Sequence, residues 1–245
     1  SGENCFNVPT QKDAEEYEKN TPDLKEFFSN LNNEAIFIFA GSGAISGMSL
    51  AMLQQIKNKK VTVLYIRPGL RSLTGKKKLL ERATFGILQQ YARSGLLDGM
   101  HVVSNDVVAG VIGNLPVIGY FNKINDIIAS TLHFINVFGR TKHVYGVVED
   151  RDPVCRISTI GLLDSETSEE KMFYDFDLIR EKSYFYAFTQ SRLLNESSLI
   201  EDIESQIEKK KETWLTKISY RLYSTEYEAD FGYCLYRTSK VQGEA

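Results

Sequence analysis

Glu34-Ala35-Ile36-Phe37-Ile38-Phe39-Ala40-Gly41-Ser42-Gly43-Ala44-Ile45-Ser46-Gly47 is the stretch that decides the fold. Its first seven residues form a short apolar run, which reads as a strand covered on both sides. The next seven form a glycine-rich turn, and residues 48–57 beyond it read as a helix. Residues 60–66, Lys-Val-Thr-Val-Leu-Tyr-Ile, are the next strand, stopped by Arg67-Pro68-Gly69. A long amphipathic helix is expected over 74–93, with Leu79, Leu80, Ala83, Ile87, Leu88 and Tyr91 as its apolar face. A third strand at 100–103 closes in Ser104-Asn105-Asp106. Strands alternating with helices imply parallel strands joined by crossovers, a doubly wound α/β sheet. Ligands of such sheets lie beyond the carboxyl ends of the strands. Residues 41–47 and 104–106 are both at such ends.

Before this core, Leu24, Phe27, Phe28 and Leu31 follow the i, i+3, i+4, i+7 rule, so a helix is expected to begin at Asp23. After it, residues 116–138 read as the longest helix, with Ile118, Phe121, Ile124, Ile128, Leu132 and Ile135 on one stripe. The texture then changes. Residues 156–163, 183–190, 217–223 and 233–238 cluster β-branched and aromatic residues as strands do. A charged amphipathic helix is expected from Ser198 to Trp214. The second half therefore reads as a smaller α+β domain, with the long helix as the spine between the halves. No internal repeat or low-complexity linker is visible.

At roughly 100–200 residues per domain, 245 residues make one large domain or two modest ones. Hydrophobic residues are 42% and charged residues 25%, values of an ordinary globular chain rather than a disordered one. Twenty-nine basic against thirty-two acidic residues give a formal charge of −3, so nothing recommends direct nucleic-acid binding. The longest apolar run, 35–40, is far below the ~20 residues of a membrane span. No charged-then-apolar leader opens the sequence. Cys5, Cys155 and Cys234 are too few and too scattered for a disulfide framework or a zinc site. A reduced, cytoplasmic setting without membrane attachment is the expectation.

Glycines between a strand and a helix let the backbone approach an anion, and the first N–H groups of the helix point at it. Gly41, Gly43 and Gly47, with the hydroxyls of Ser42 and Ser46, suit a phosphate cradle. A tight connection without a ligand remains the other reading. No Gly-x-x-x-x-Gly-Lys-Ser/Thr is present, and Gly-x-Gly-x-x-x-Gly is one residue off the dinucleotide fingerprint.

In order and spacing, this set of elements resembles the tubulin/FtsZ superfamily. That family's usual loop is Gly-Gly-Gly-Thr-Gly-Ser-Gly, where this chain has Gly41-Ser42-Gly43-Ala44-Ile45-Ser46-Gly47. Ala83-Thr84-Phe85-Gly86-Ile87 is similar to the Ala-x-x-Gly-Ile of the following helix. Val102-Val103-Ser104-Asn105-Asp106 resembles the strand end Ile-Pro-Asn-Asp, and 188–239 is similar in layout to the second domain. The resemblance implies an α/β fold with a parallel doubly wound nucleotide-binding sheet over 1–115, a central connecting helix over 116–139 and an α+β C-terminal domain over 140–245. It implies GTP/GDP with Mg²⁺, head-to-tail assembly of copies into filaments, and hydrolysis completed at the contact between them. Phage and plasmid relatives move or centre DNA, so an adaptor or DNA-linked cargo protein is a further implied partner.

Residue by residue, the resemblance assigns the phosphates to Gly41, Ser42, Gly43, Ser46 and Gly47. Asn105 matches the asparagine that hydrogen-bonds guanine, Phe121 the aromatic that stacks on it, and Asn125 the residue that reads the base edge. Positions i and i+4 share a helix face, so ring and amide can meet one planar ligand. Core packing is the alternative for Phe121, whereas a buried amide at Asn125 would need a partner. Glu149 and Asp152 keep the three-residue offset of the acidic loop that positions the attacking water, general-base work for a carboxylate. A solvated turn is their alternative, and Asp164 and Glu166 replace them in a different register.

Ala44 replaces the family's threonine and Ile45 a central glycine, and the family's opening strand with its own phosphate loop would lie before residue 1. These departures define a second reading, a non-hydrolysing tubulin-like structural protein that has lost its nucleotide. A small-molecule α/β enzyme unrelated to tubulin is a third. His101, His133 and His143 lack metal-ligand spacing. Lys76–78 and Lys209–211 read as solvated helix faces, the first within reach of a ribose or phosphate. No Gly-x-Ser-x-Gly supports a serine nucleophile.

Overall fold

Strands β1 (Glu34–Ala40) and β2 (Lys60–Arg67) pair in parallel from Glu34 opposite Lys60 to Ala40 opposite Ile66. The expected crossover joins them. The computed structural model describes residues 5–69, 73–114, 116–211, 213 and 215–242. The chain divides into two units, Ser1–His101 with Glu244–Ala245, and Val102–Gly243.

In the first unit β2 lies between β1 and β3 (Gly99–Ser104), whose last residues pass into the second unit. Val61, Val63, Leu64 and Tyr65 of β2 are buried, as a β-branched and aromatic run in a central strand should be. The expectation for β1 is corrected. Ile38 is 54% exposed and Ile36 also lies open, because alternate side chains of a strand point to opposite faces and only one face of β1 is partly covered. The helix expected from Asp23 is corrected too: 25–30 are turns. Gln55 takes the local backbone instead, accepting from the Leu24 N–H at 2.5 Å and donating to the Pro22 carbonyl at 2.9 Å. With so short a segment, two tertiary hydrogen bonds outweigh a costly helix nucleus. A helix does form earlier, α1 (Ala14–Lys19), where the Asp13 carboxylate accepts from the Glu16 N–H and caps it.

After β1, the helix expected over 48–57 is a 3₁₀ turn, Ala44–Met48, followed by a short α2 (Ser49–Gln55). The long helix α3 (Gly75–Ser94) is present and ends on Gly95 at φ 82°, a left-handed stop that glycine adopts without strain. Its buried face is not the expected one. Leu79 and Ile87 are exposed, while Glu81, Thr84, Phe85, Leu88, Gln89 and Ala92 are inside. A hydrophobicity pattern cannot anticipate a buried carboxylate, and Glu81 is buried because Arg67 meets it there.

The second unit begins with α4 (Asn105–Ile112), a helix the sequence reading left as a strand-closing loop, and α5 (Tyr120–Arg140). Its strands run in the order β5-β9-β7-β8-β4, with β6 (Glu170–Met172) on β5. β9 (Phe231–Thr238) runs antiparallel to both of its neighbours, β5 (Ile157–Leu163) and β7 (Glu181–Thr189). β8 (Lys217–Thr225) is parallel to β7, and the short β4 (Tyr145–Val147) is antiparallel to β8.

Side chains alternate across this sheet with period two. Tyr184, Tyr186, Phe188, Tyr220, Leu222 and Tyr236 meet Leu199, Ile203 and Ile207 of α7 (Leu199–Lys209). Phe185, Tyr223 and Tyr233 instead pack on Phe134 and Phe138 of α5. A six-residue α6 (Gln190–Asn195) is capped by the Thr189 hydroxyl, which accepts from the Arg192 N–H. Trp214, the expected end of α7, is outside the described residues, as are positions 1, 115 and 245 of the expected boundaries. Lys210 does not belong to a solvated face: its ammonium donates to Glu170 and to the Ser168 carbonyl. No described helix is long and apolar enough to cross a membrane.

Candidate functional site

In the first unit the turn after β1 is held from three sides. The Gly41 N–H donates to the Ile66 carbonyl at 2.9 Å, and a Cβ on Gly41 would lie 2.3 Å from the Tyr65 hydroxyl. A Cβ on Gly47 would lie 2.1 Å from the Ala14 carbonyl oxygen of α1. The Ser46 hydroxyl donates to the Ala40 carbonyl at 2.5 Å and is buried. Two of the three glycines and one of the two serines thus already serve close internal packing. Gly43 and Ser42 are different. Gly43 is exposed, with only the Ser46 hydroxyl within 3.4 Å of its Cβ position, and Ser42 adopts φ 66°. Ser42 and Ala44 border a cleft of about 320 Å³ shared with Lys76 and Lys77 at the start of α3. The part of the turn open to an anion is 42–44.

In the second unit, Asn105 opens α4, and its side-chain Oδ1 is buried without a hydrogen-bond partner. A buried acceptor left bare costs about 1–3 kcal/mol, so a group that donates to it gains that much. Phe121 is 62% exposed, which removes it from the core. Asn125, one turn on, is also exposed, so its amide does not need an internal partner. The buried stripe of α5 starts only at Ile124 and runs through Ile128, Thr131, Leu132, Ile135 and Phe138, correcting the inclusion of Ile118 and Phe121. Phe121 and Asn125 therefore present a ring and an amide on one solvent-facing side of the first turns of α5. α4 packs against α5.

The acidic candidates are tied into the loop structure. The Asp152 carboxylate accepts from the Val154 N–H at 3.0 Å, and its own N–H donates to the buried Glu181 at 2.6 Å. The Glu149 N–H donates to the Ser219 hydroxyl while its side chain is exposed. Asp152 borders a cleft of about 340 Å³ with Cys155, Arg180, Glu181 and Lys217. Burial, with the charges of Glu181 and Asp152, pushes the Cys155 thiol up to about 11, which keeps it protonated at neutral pH. In the alternative register, Asp164 accepts from the backbone N–H groups of Thr167 and Glu166, and Glu166 pairs with Arg192.

The two N–H donors, Thr167 first, hold the Asp164 carboxyl below its usual range. A carboxyl whose folded value is depressed stabilises its turn above the unfolded value and loses that contribution as pH falls through the folded one. The protection of the Glu166 and Thr167 amides, their exchange relative to an unstructured chain at the same pH, should therefore hold from pH 7 to about 4 and fall only below that. Protection that is already lost between pH 7 and 5 would contradict this assignment.

Among the described residues no group of three His, Cys, Asp or Glu side chains is placed to hold a metal. Cys155 and Cys234 are buried free thiols and Cys5 is an exposed one.

The parallel crossover unit, the long α5 and the antiparallel-dominated strands of the second unit match the tubulin/FtsZ fold. Similar solved structures include a GTPγS-form protofilament of TubZ from Bacillus thuringiensis serovar israelensis, at TM-score 0.64 and 14% identity, matching 95% of this chain and 72% of that one. The GDP-form protofilament of the same protein gives TM-score 0.63 and 15% identity over 91% of this chain and 67% of that one. An empty FtsZ dimer from M. jannaschii gives 0.60 and 11% over 91% and 67%. No family model matches the sequence, and no curated protein matches it either.

Proposed function

We propose that this chain is a tubulin-like filament subunit that binds a guanine nucleotide and assembles head to tail with further copies of itself. The bare, buried Oδ1 of Asn105 carries the nucleotide reading, because guanine offers the N–H donors that such an acceptor lacks. Exposed Phe121 supplies a stacking face, and the Asn125 amide a second contact to the base edge. In the first unit, Ser42 and Ala44 with Lys76 and Lys77 border a cleft suited to an anion such as a phosphate, and Mg²⁺ enters with the nucleotide's phosphates. The fold is that of proteins solved as GTPγS- and GDP-form protofilaments, which supports self-association. A head-to-tail contact is heterologous and does not close, so it generates filaments.

For hydrolysis we assign Glu149 and Asp152 of one copy to the water beside the nucleotide of the next. Purified protein with GTP and Mg²⁺ should scatter light in a nucleotide-dependent way and release phosphate. Asn105→Ala should weaken guanine nucleotide by about 1–3 kcal/mol in a calorimetric titration, with an unchanged melting curve. Asn125→Ala should do the same through the second base contact. An unaltered dissociation constant in both variants would remove the base assignment.

A second reading rests on the loop itself. Ala44 and Ile45 stand where the family has a hydroxyl and a glycine, and Gly41, Ser46 and Gly47 are engaged with the protein interior. These favour a non-hydrolysing subunit. Scattering without phosphate release would select it.

A further inference from the structure

Beneath the glycine turn of the first unit lies a buried polar network. Arg67 at the end of β2 donates to Glu81 of α3 through Nε at 2.8 Å and Nη2 at 3.2 Å, and both side chains are almost wholly buried. The Tyr65 hydroxyl donates to the same carboxylate at 3.5 Å. Phe85 clamps the group, its ring stacked 5.6 Å from that of Tyr65 and 4.2 Å from the Arg67 guanidinium. Burial, and then the charge of Glu81, push the Tyr65 hydroxyl far up, so it stays a donor. That hydroxyl occupies the space a side chain at position 41 would need, with the Pro68 ring beside it.

A buried ion pair contributes little net stability compared with apolar packing, but it does fix one geometry. Here the geometry fixed is the height of the Tyr65 ring, and the hydroxyl at its tip is the floor on which Gly41 rests. We propose that Tyr65, held by the Arg67–Glu81 pair, is a positioning residue for the glycine turn: it sets the backbone of 41–44 and through it the affinity for the anionic end of the ligand. The second half of this statement rests on the nucleotide reading above, whereas the first half does not.

The test uses the full chain and two readouts. Tyr65→Phe removes one hydroxyl from a ring otherwise kept in place by Phe39 and Phe85. Amide exchange at Gly41 and Ser46, whose N–H groups are bonded to Ile66 and Gly43, should speed up tenfold or more, while β2 and α3 keep their protection. A fluorescent GTP analogue should bind several-fold more weakly. Gly41→Ala should be worse than Tyr65→Phe in both readouts. The double variant should recover part of that loss, because the methyl then has no hydroxyl to meet. Unchanged exchange in Tyr65→Phe, or strictly additive losses in the double variant, would overturn the positioning role. An analogue that fails to bind the unaltered chain would refute the nucleotide reading and, with it, the affinity half of this proposal, while the exchange result would still decide whether Tyr65 sets the turn.

Discussion

Glu81→Ala should destabilise the protein by about 3–5 kcal/mol, read as a lower denaturant midpoint with little change in slope. Glu81 is fully buried, and its carboxylate accepts from Nε and Nη2 of Arg67 and from the Tyr65 hydroxyl. Its removal takes the opposite charge away from a buried guanidinium, and the weakened compensation of that cation's desolvation is the larger part of the loss. The double variant Arg67→Met/Glu81→Leu should therefore be more stable than Glu81→Ala alone, since exchanging a whole buried pair for apolar groups of similar volume is often neutral. A double variant as unstable as the single one would show that shape, not charge, holds this corner.

Phe138→Ala should cost a similar amount, about 3–5 kcal/mol, for a different reason. The ring stacks on Tyr223 at 4.5 Å between centroids and sits near Phe185, Phe231 and Tyr233. Truncation opens a cavity that the β-sheet on one side and the α5 backbone on the other cannot close. The Phe138 carbonyl also accepts from the Tyr223 hydroxyl at 2.6 Å, a bond the variant retains but no longer shields. Phe138→Leu should recover about half or more of the loss. Equal losses for alanine and leucine would point to the hydrogen bond rather than the packing.

These two positions differ in how legible they were. Phe138 continues by three residues the stripe 124, 128, 132, 135 that periodicity singles out, although the expected stripe itself stopped at Ile135. The parallel pairing of β1 with β2 was legible for a similar reason: two apolar runs separated by a helix-sized segment have few other topologies. Glu81 carries no signal in the sequence, since its burial depends on an arginine fourteen positions away. The four-residue spacing of Phe121 and Asn125 puts them on one helix face, but only packing decides that this face is the solvent side. α4 and β4 have no clear signal in the sequence, one because a strand end and a helix start share the residues 104–106, the other because three residues have no period.

The site shows the same division. Which residues in 41–47, 105, 121 and 125 carry chemistry of interest follows from residue type and order along the chain. What each glycine is for does not: Gly41 and Gly47 owe their missing side chains to Tyr65 and Ala14, neighbours far from them along the chain or on another element. Order and local periodicity determined the longer strands and helices, the parallel start and the candidate residues, because helices and strands are local solutions to burying apolar groups. Tertiary structure alone decided which polar side chains lie inside, which glycines are pressed by a neighbour and that the Asn105 acceptor lacks a partner. Those are contacts between groups whose separation along the chain encodes no distance in space.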